Sequence, residues 1–213
     1  MTDYSKLCEQ TLCKLSSLQE KPRLLLHACC APCSSYVIEY LHSYFDITMY
    51  YYNPNVTSLD EYNFRKEELF RLLREFPAAQ GIKLLDSPYE PEKFFEMSKD
   101  LENLPEGGKR CKECYLLRLE QTALAAKENG FDYFATTLSI SPYKNAQWLN
   151  GIGEELSQKY GVKYLFSDFK KKNGYKRSIE LSREYNLYRQ SFCGCVFSQN
   201  ETQTDTLEKN AEP

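Results

Sequence analysis

Cys29, Cys30 and Cys33, then Cys111 and Cys114, then Cys193 and Cys195, form three groups in this 213-residue chain whose spacing lets neighbouring thiols act together. Thiolates so placed do two kinds of chemistry: they hold a soft metal or an iron–sulfur cluster, or they exchange electrons as a dithiol. The chain has nine cysteines, an odd number, and its start from Met1 to Glu20 is polar and mixed in charge rather than a secretory leader. A structural disulfide framework is therefore the weaker reading. Structural zinc takes four ligands, usually from two compact pairs, and an iron–sulfur cluster also takes four thiolates, so spacing leaves both open. Seven clustered thiols exceed four, and the surplus favours a second redox centre or metal over structural zinc alone. Cys8 and Cys13 have no close cysteine neighbours and read as inert thiols on an appended helix.

These groups need elements to hold them. The stretch from Arg23 to Tyr36 opens on a short apolar run that reads as a buried strand, with the first thiols at its end and a helix over about 35–44 that Ser34 and Ser35 cap. Further strands are expected near 47–52, 82–85, 131–138 and 162–166, and helices near 60–76, 91–100, 146–160 and 180–188. Between them, the C-x-x-C pair of Cys111 and Cys114 opens a helix that runs to Asn129 and closes on Gly130. There the helix dipole and the neighbouring Arg110 and Lys112 are expected to lower the thiol pKa values. Alternating strands and helices predict an α/β fold, a single domain with a mostly parallel sheet and covering helices. In such a sheet ligands collect at the carboxyl edge, where Cys29, Cys30 and Cys33 would lie. The expected organisation is an N-terminal helical extension over 1–20, an α/β metallo-domain over 21–198 and a disordered tail over 199–213.

No apolar run approaches the length of a membrane span, which predicts a cytoplasmic protein. The net charge is only −3, so contact with a polyanion must come from a local patch. Lys170, Lys171, Lys172, Lys176 and Arg177, interleaved with Phe169 and Tyr175, suit phosphate contact and base stacking, although a solvated surface run has the same composition. Tyr143 and Lys144 follow the fourth expected strand and would sit at a pocket mouth. His27 reads as a core histidine satisfied by backbone rather than a ligand.

Five segments carry a resemblance: His27-Ala-Cys-Cys-Ala-Pro-Cys33, Cys111-Lys-Glu-Cys114, Thr137-Leu-Ser-Ile-Ser-Pro142, Ser167-Asp-Phe-Lys-Lys171 and Tyr188-Arg-Gln-Ser-Phe-Cys-Gly-Cys-Val-Phe197. In this order they closely resemble the QueH family of epoxyqueuosine reductases, over about residues 22–198. The resemblance implies the adenine nucleotide alpha-hydrolase-like layout. It also implies the last step of queuosine formation, reduction of the epoxide of epoxyqueuosine at the wobble position of the tRNA isoacceptors for Asp, Asn, His and Tyr. The cofactor it implies is a [4Fe-4S] cluster on Cys29, Cys30, Cys111 and Cys114, without cobalamin, fed by an electron donor it does not identify. Cys193 and Cys195 match a redox-active pair, and Cys33 matches a cysteine serving a nearby metal or the substrate site.

The chemistry agrees with this resemblance. Converting an epoxide to an alkene and water takes two electrons and two protons, whereas one cluster delivers electrons singly, so a partner such as a dithiol or a second, mononuclear iron is needed. Cys193 and Cys195 could close a disulfide only over a bent backbone, which Gly194 permits, and such a bond is easily reduced. Asp168 could ligate a second iron or donate a proton, or equally cap a helix. Adjacent side chains on a strand point to opposite faces, so if the bend after the strand does not bring Cys29 and Cys30 together, Cys33 replaces one of them on the cluster. The competing class is a zinc-stabilised or thiol redox-sensing tRNA-binding protein without turnover. An ATP-using tRNA thiolase would need a glycine-rich phosphate loop after the first strand, where this chain has cysteines and Pro32.

Overall fold

The computed structural model describes residues 2–199. The expected disordered tail thus lies outside the described residues except for Gln199, which closes a helical turn by donating its N–H to the Cys195 carbonyl at 3.1 Å. Five parallel strands, β1 (Arg23–His27), β2 (Asp46–Tyr50), β3 (Lys83–Leu85), β4 (Tyr133–Thr136) and β5 (Lys163–Tyr164), form one sheet in the order β3-β2-β1-β4-β5. β1 is central because it is apolar on both faces: Leu24 and Leu26 enter one core and Leu25 the other. Its last residue, His27, pairs with Tyr50 on one side and Thr136 on the other.

Among the described residues, seven helices accompany the sheet: α1 (Tyr4–Leu15), α2 (Ala31–Leu41), α3 (Leu59–Glu75), α4 (Pro91–Ser98), α5 (Lys109–Glu128), α6 (Ala146–Tyr160) and α7 (Gly174–Glu184); α4 packs on α5. α1, α2, α3 and α7 contribute to the core under Leu24 and Leu26, while α5 and α6 pack over Leu25. The chain moves outward from β1 to β3, then crosses back to β4 on the other side. The carboxyl ends of β1 and β4 therefore part at a topological switch point, the place where open α/β sheets bind ligands.

Several strands are shorter than in the sequence reading, and two helix starts differ from it. α2 begins at Ala31 with Cys30 as its N-cap, because Pro32 fits the first turn, where no intrahelical N–H is needed. Ser34 and Ser35 do not cap it; their hydroxyls donate back to the carbonyls of Cys30 and Pro32 at 2.8 and 2.9 Å. α7 begins at Gly174 rather than near 180, so Lys176 and Arg177 stand in its first turn. α6 has the expected bounds: Asn145 Oδ1 accepts from the N–H groups of Gln147 and Trp148, and Gly161 ends the helix at φ +74°. α1 packs Cys8 and Leu12 into the core, and burial pushes the Cys8 thiol up to about 12, which leaves it neutral.

Candidate metal and redox centre

Cys29 lies two residues past β1, Cys30 caps α2 and Cys33 is in the first turn of that helix. This bend brings the three sulfurs within 4.8 Å of one another, with those of Cys29 and Cys30 3.8 Å apart. Strand alternation is thus no obstacle to Cys29 and Cys30 sharing a site. A tetrahedral centre with metal–sulfur bonds of about 2.3 Å has sulfur–sulfur edges of about 3.8 Å, so this pair already spans one edge. Thr137 fixes Cys29 from β4's side, accepting its N–H at 3.2 Å and donating its hydroxyl to the sulfur at 3.3 Å. Hydrogen bonds from Cys29 and Cys33 draw the first negative charge onto Cys30, whose pKa falls well below the thiol range. Donation to Cys30 in turn raises Cys29 to about 11, and donation to both neighbours raises Cys33.

Cys111 and Cys114 stand in the first two turns of α5. They line a small cavity together with Cys193, Cys195, Phe94 and Lys144. The expected lowering of their pKa values does not occur: burial raises Cys111 and pushes Cys114 up to about 12. Arg110 does not offset this, because its guanidinium is turned to the carbonyls of Leu101, Glu102 and Leu104 and lies 4.6 Å from the Phe197 ring centre. Metal coordination deprotonates such thiols outright, so burial does not bar them from being ligands.

The last thiol pair sits on a loop held from two sides. Arg65, 2% exposed on α3, donates to the carbonyls of Phe192 and Cys193 at 3.4 and 3.1 Å and pairs with Glu61 at 2.7 Å. Lys144 places its ammonium 3.3 Å from the Cys193 sulfur and 3.1 Å from Glu106 Oε1. Burial opposes the Lys144 charge, but Cys193, Tyr115 and Glu106 hold its pKa above the usual range. Burial likewise pushes Cys195 up to about 11. All nine cysteines are free thiols here.

The two thiol sets border one another. A cavity of about 600 Å³ is lined by Cys29, Cys30, Cys33 and Cys193, and by the cations Arg65, Arg118, Lys144 and Arg189. Arg118, one helical turn beyond Cys114, is 2% exposed and lines both cavities. Its Nη2 donates to Asn53 Oδ1 at 2.6 Å, while its buried Nε has no hydrogen-bond partner.

Tyr143, 79% exposed, stands on the rim of this cavity. The basic run is instead engaged by acids: Lys170 with Asp168, Lys171 with Asp3 at 3.3 Å, Lys172 with Glu9, and Arg177 with Glu39 through two bonds of 3.0 and 2.7 Å. Lys176 is left as an exposed cation of that run. Asp168 is taken by Lys170 and does not line either thiol cavity. His27 is the expected core histidine: Nε2 donates to the Tyr52 carbonyl, Nδ1 accepts from Thr136, both at 3.0 Å, and burial lowers its pKa to about 3, so the ring is neutral. Sequence reasoning missed Arg65, Arg118 and Glu106. Only Arg118 carried a local signal, its i, i+4 spacing from Cys114.

A doubly wound parallel sheet with thiols from three chain segments near one another defines an α/β protein whose Cys29, Cys30 and Cys33 could hold a metal ion. The family model described as epoxyqueuosine reductase QueH matches residues 24–201. Relatives that bear the name epoxyqueuosine reductase QueH match along nearly the whole chain. The one from Staphylococcus epidermidis is 42% identical over 99% of this chain and 90% of its own length. That from Streptococcus pyogenes is 42% identical over 97% and 82%, and that from Thermotoga maritima 38% over 89% and 94%. The chain belongs to the epoxyqueuosine reductase QueH family.

Proposed function

We propose that this chain reduces the epoxide of epoxyqueuosine in tRNA to the cyclopentene of queuosine, using Cys193 and Cys195 as a dithiol beside an iron–sulfur centre. The observation that carries the reading is that two adjoining cavities, which share Cys193, Arg118 and Lys144, are lined by the three cysteine groups between them; the larger, at about 600 Å³, is within the size range of small-molecule sites. The donor set suits the cofactor. It is all sulfur, the sulfurs of Cys29, Cys30 and Cys33 lie within 4.8 Å of one another, and Arg118, whose buried Nε has no hydrogen-bond partner, lines both cavities, where a negatively charged centre would suit it. Cys29, Cys30, Cys111 and Cys114 are the ligands the resemblance assigns to a [4Fe-4S] cluster, with Cys33 left beside them for a second, mononuclear iron. When bound, the cluster supplies single-electron transfer next to the dithiol.

The residues of the chain do the rest. Thr137 orients Cys29, and Arg65 holds the Cys193–Cys195 loop against the cavity. Arg189, seated by Ser182 at 3.1 Å, and Lys144 give the cavity wall positive charge that suits a nucleotide, while Tyr143 on the rim offers a stacking surface. The wobble nucleoside of the Asp, Asn, His and Tyr tRNAs is the substrate this reading names. No described helix is long and apolar enough to cross a membrane.

The test is anaerobic purification with iron, sulfide and zinc counts and an absorbance spectrum before and after dithionite, followed by nucleoside mass spectrometry of epoxyqueuosine tRNA incubated with the protein. A brown, bleachable protein that yields queuosine is expected. A colourless zinc protein that leaves the epoxide intact after anaerobic reconstitution would overturn the reading in favour of a binding protein.

A further inference from the structure

Cys193 and Cys195 are two residues apart, yet their surroundings are unalike. Cys193 is half-buried and lines both the large cavity and the small one, whereas Cys195 is 7% exposed, lines only the small one and packs with Phe94 and Cys114. The Cys193 sulfur is hydrogen-bonded to a cation, Lys144 at 3.3 Å; the Cys195 sulfur accepts a backbone N–H, that of Ser198, at 3.4 Å, and also feels the Arg110 charge. The groups around Cys193 form a closed ring. Lys144 Nζ is 3.1 Å from Glu106 Oε1, Ser198 Oγ donates to Glu106 Oε2 at 2.6 Å, the same Oγ accepts the Cys193 N–H at 3.1 Å, and the Cys193 sulfur returns to Lys144. A ring of this kind fixes where the ammonium points. It also ties the cation to the backbone of the cysteine it serves, so the two move together.

We propose that Cys193 is the sulfur that meets the substrate, that Cys195 is the resolving partner, and that Lys144, clamped by Glu106 and Ser198, is the positioning cation for Cys193. This assignment rests on the redox-pair reading of the preceding subsection. In the step it describes, one S–S bond forms between Cys193 and Cys195 and two S–H bonds break. The two electrons and two protons released reduce the epoxide: both C–O bonds of its oxygen break, a C=C bond forms, and the oxygen leaves as water carrying both protons. Cys193 carries negative charge as a thiolate before its sulfur is oxidised and again as the leaving thiolate when the S–S bond is cleaved at re-reduction, and the adjacent ammonium compensates it both times. Cys195 needs no such partner, because it has only to reach a neighbour on the same loop.

The assignment is tested by alkylating the reduced holoenzyme anaerobically with iodoacetamide and following each cysteine by peptide fragmentation, with exposed Cys13 as the internal reference. Cys193 is expected to react first and Cys195 last of the pair. Lys144→Gln should slow Cys193 by roughly tenfold, the order of losing one hydrogen bond from a charged donor, without changing Cys13. Lys144→Arg should restore most of the rate, which a purely structural role for the side chain would not require. If Lys144→Gln fails to fold, Glu106→Gln replaces it, with a slower Cys193 again expected because the ammonium loses its clamp. Equal reactivity of Cys193 and Cys195, or Gln and Arg variants that behave alike, would overturn the assignment. Full turnover of epoxyqueuosine tRNA by Cys193→Ser would instead overturn the redox-pair reading itself, whatever the labelling shows.

Discussion

Between Cys193 and Cys195 the backbone of Gly194 stands at φ +113°, and an added Cβ would lie 2.9 Å from Val56 Cγ2 and 3.0 Å from Nη1 of Arg65. Both the conformation and the space therefore exclude a side chain. Gly194→Ala is expected to cost about 1–3 kcal/mol of backbone strain, read as a lower melting temperature, and to reduce turnover by displacing both thiols. Arg65 supports the same loop from below. Its guanidinium serves two loop carbonyls and Glu61, and lies 5.3 Å from the Phe192 ring centre. Arg65→Met would leave those carbonyls and a largely buried carboxylate unpaired, and a loss on the order of 3–5 kcal/mol is expected from broken buried pairs of this kind. Hydrogen exchange over 189–199 should rise in that variant even where the sheet stays protected; unchanged protection there would show that Arg65 does not hold the loop.

At the level of elements, α1 and the basic run turn out to be one feature. Lys171 and Lys172 reach back to Asp3 and Glu9, while Cys8 and Leu12 enter the core and Tyr4 stacks on Phe166 with ring centres 6.1 Å apart. Exposed ion pairs are worth little singly, but reversing both charges sets like charges against α1. Lys171→Glu combined with Lys172→Glu is expected to speed amide exchange over 4–15 while β1 and β4 stay protected; slow exchange throughout would mean that apolar packing alone docks the helix. This pairing was not legible in the sequence, because the partners lie more than 160 positions apart and a basic run looks the same whether it faces solvent, RNA or an acidic helix. Strands and α6 were legible, since short apolar runs, Asn145 and Gly161 are local signals. The start of α2 was not, because Pro32 looks like a breaker when its place in the first turn is unknown.

For the molecule as a whole, the sheet order brings together what the chain keeps apart. Cys29, Cys30 and Cys33 follow β1, Cys111 and Cys114 open α5, and Cys193 and Cys195 close the described chain. The cysteines could be read from the sequence because thiols are scarce and their spacing is itself informative. Arg118 is marked locally only by its spacing from Cys114 and Glu106 by nothing, and both reach the thiols at the end of β1 only through the crossover that carries α5 onto β1. A group bound jointly by the β1–α2 bend and α5 ties the two faces of the sheet together, and its binding free energy then adds to folding stability. Anaerobically loaded protein is therefore expected to melt well above stripped protein. A loss of 3–4 kcal/mol would correspond to roughly 10 °C for a domain of this size. The pattern among variants distinguishes the ligand sets. Cys29→Ala and Cys111→Ala should each abolish the gain on loading, whereas Cys13→Ala and Cys193→Ser should keep it. If Cys111→Ala keeps it while Cys33→Ala loses it, the bound group is confined to the three sulfurs at the β1–α2 bend, and α5 supplies no ligand.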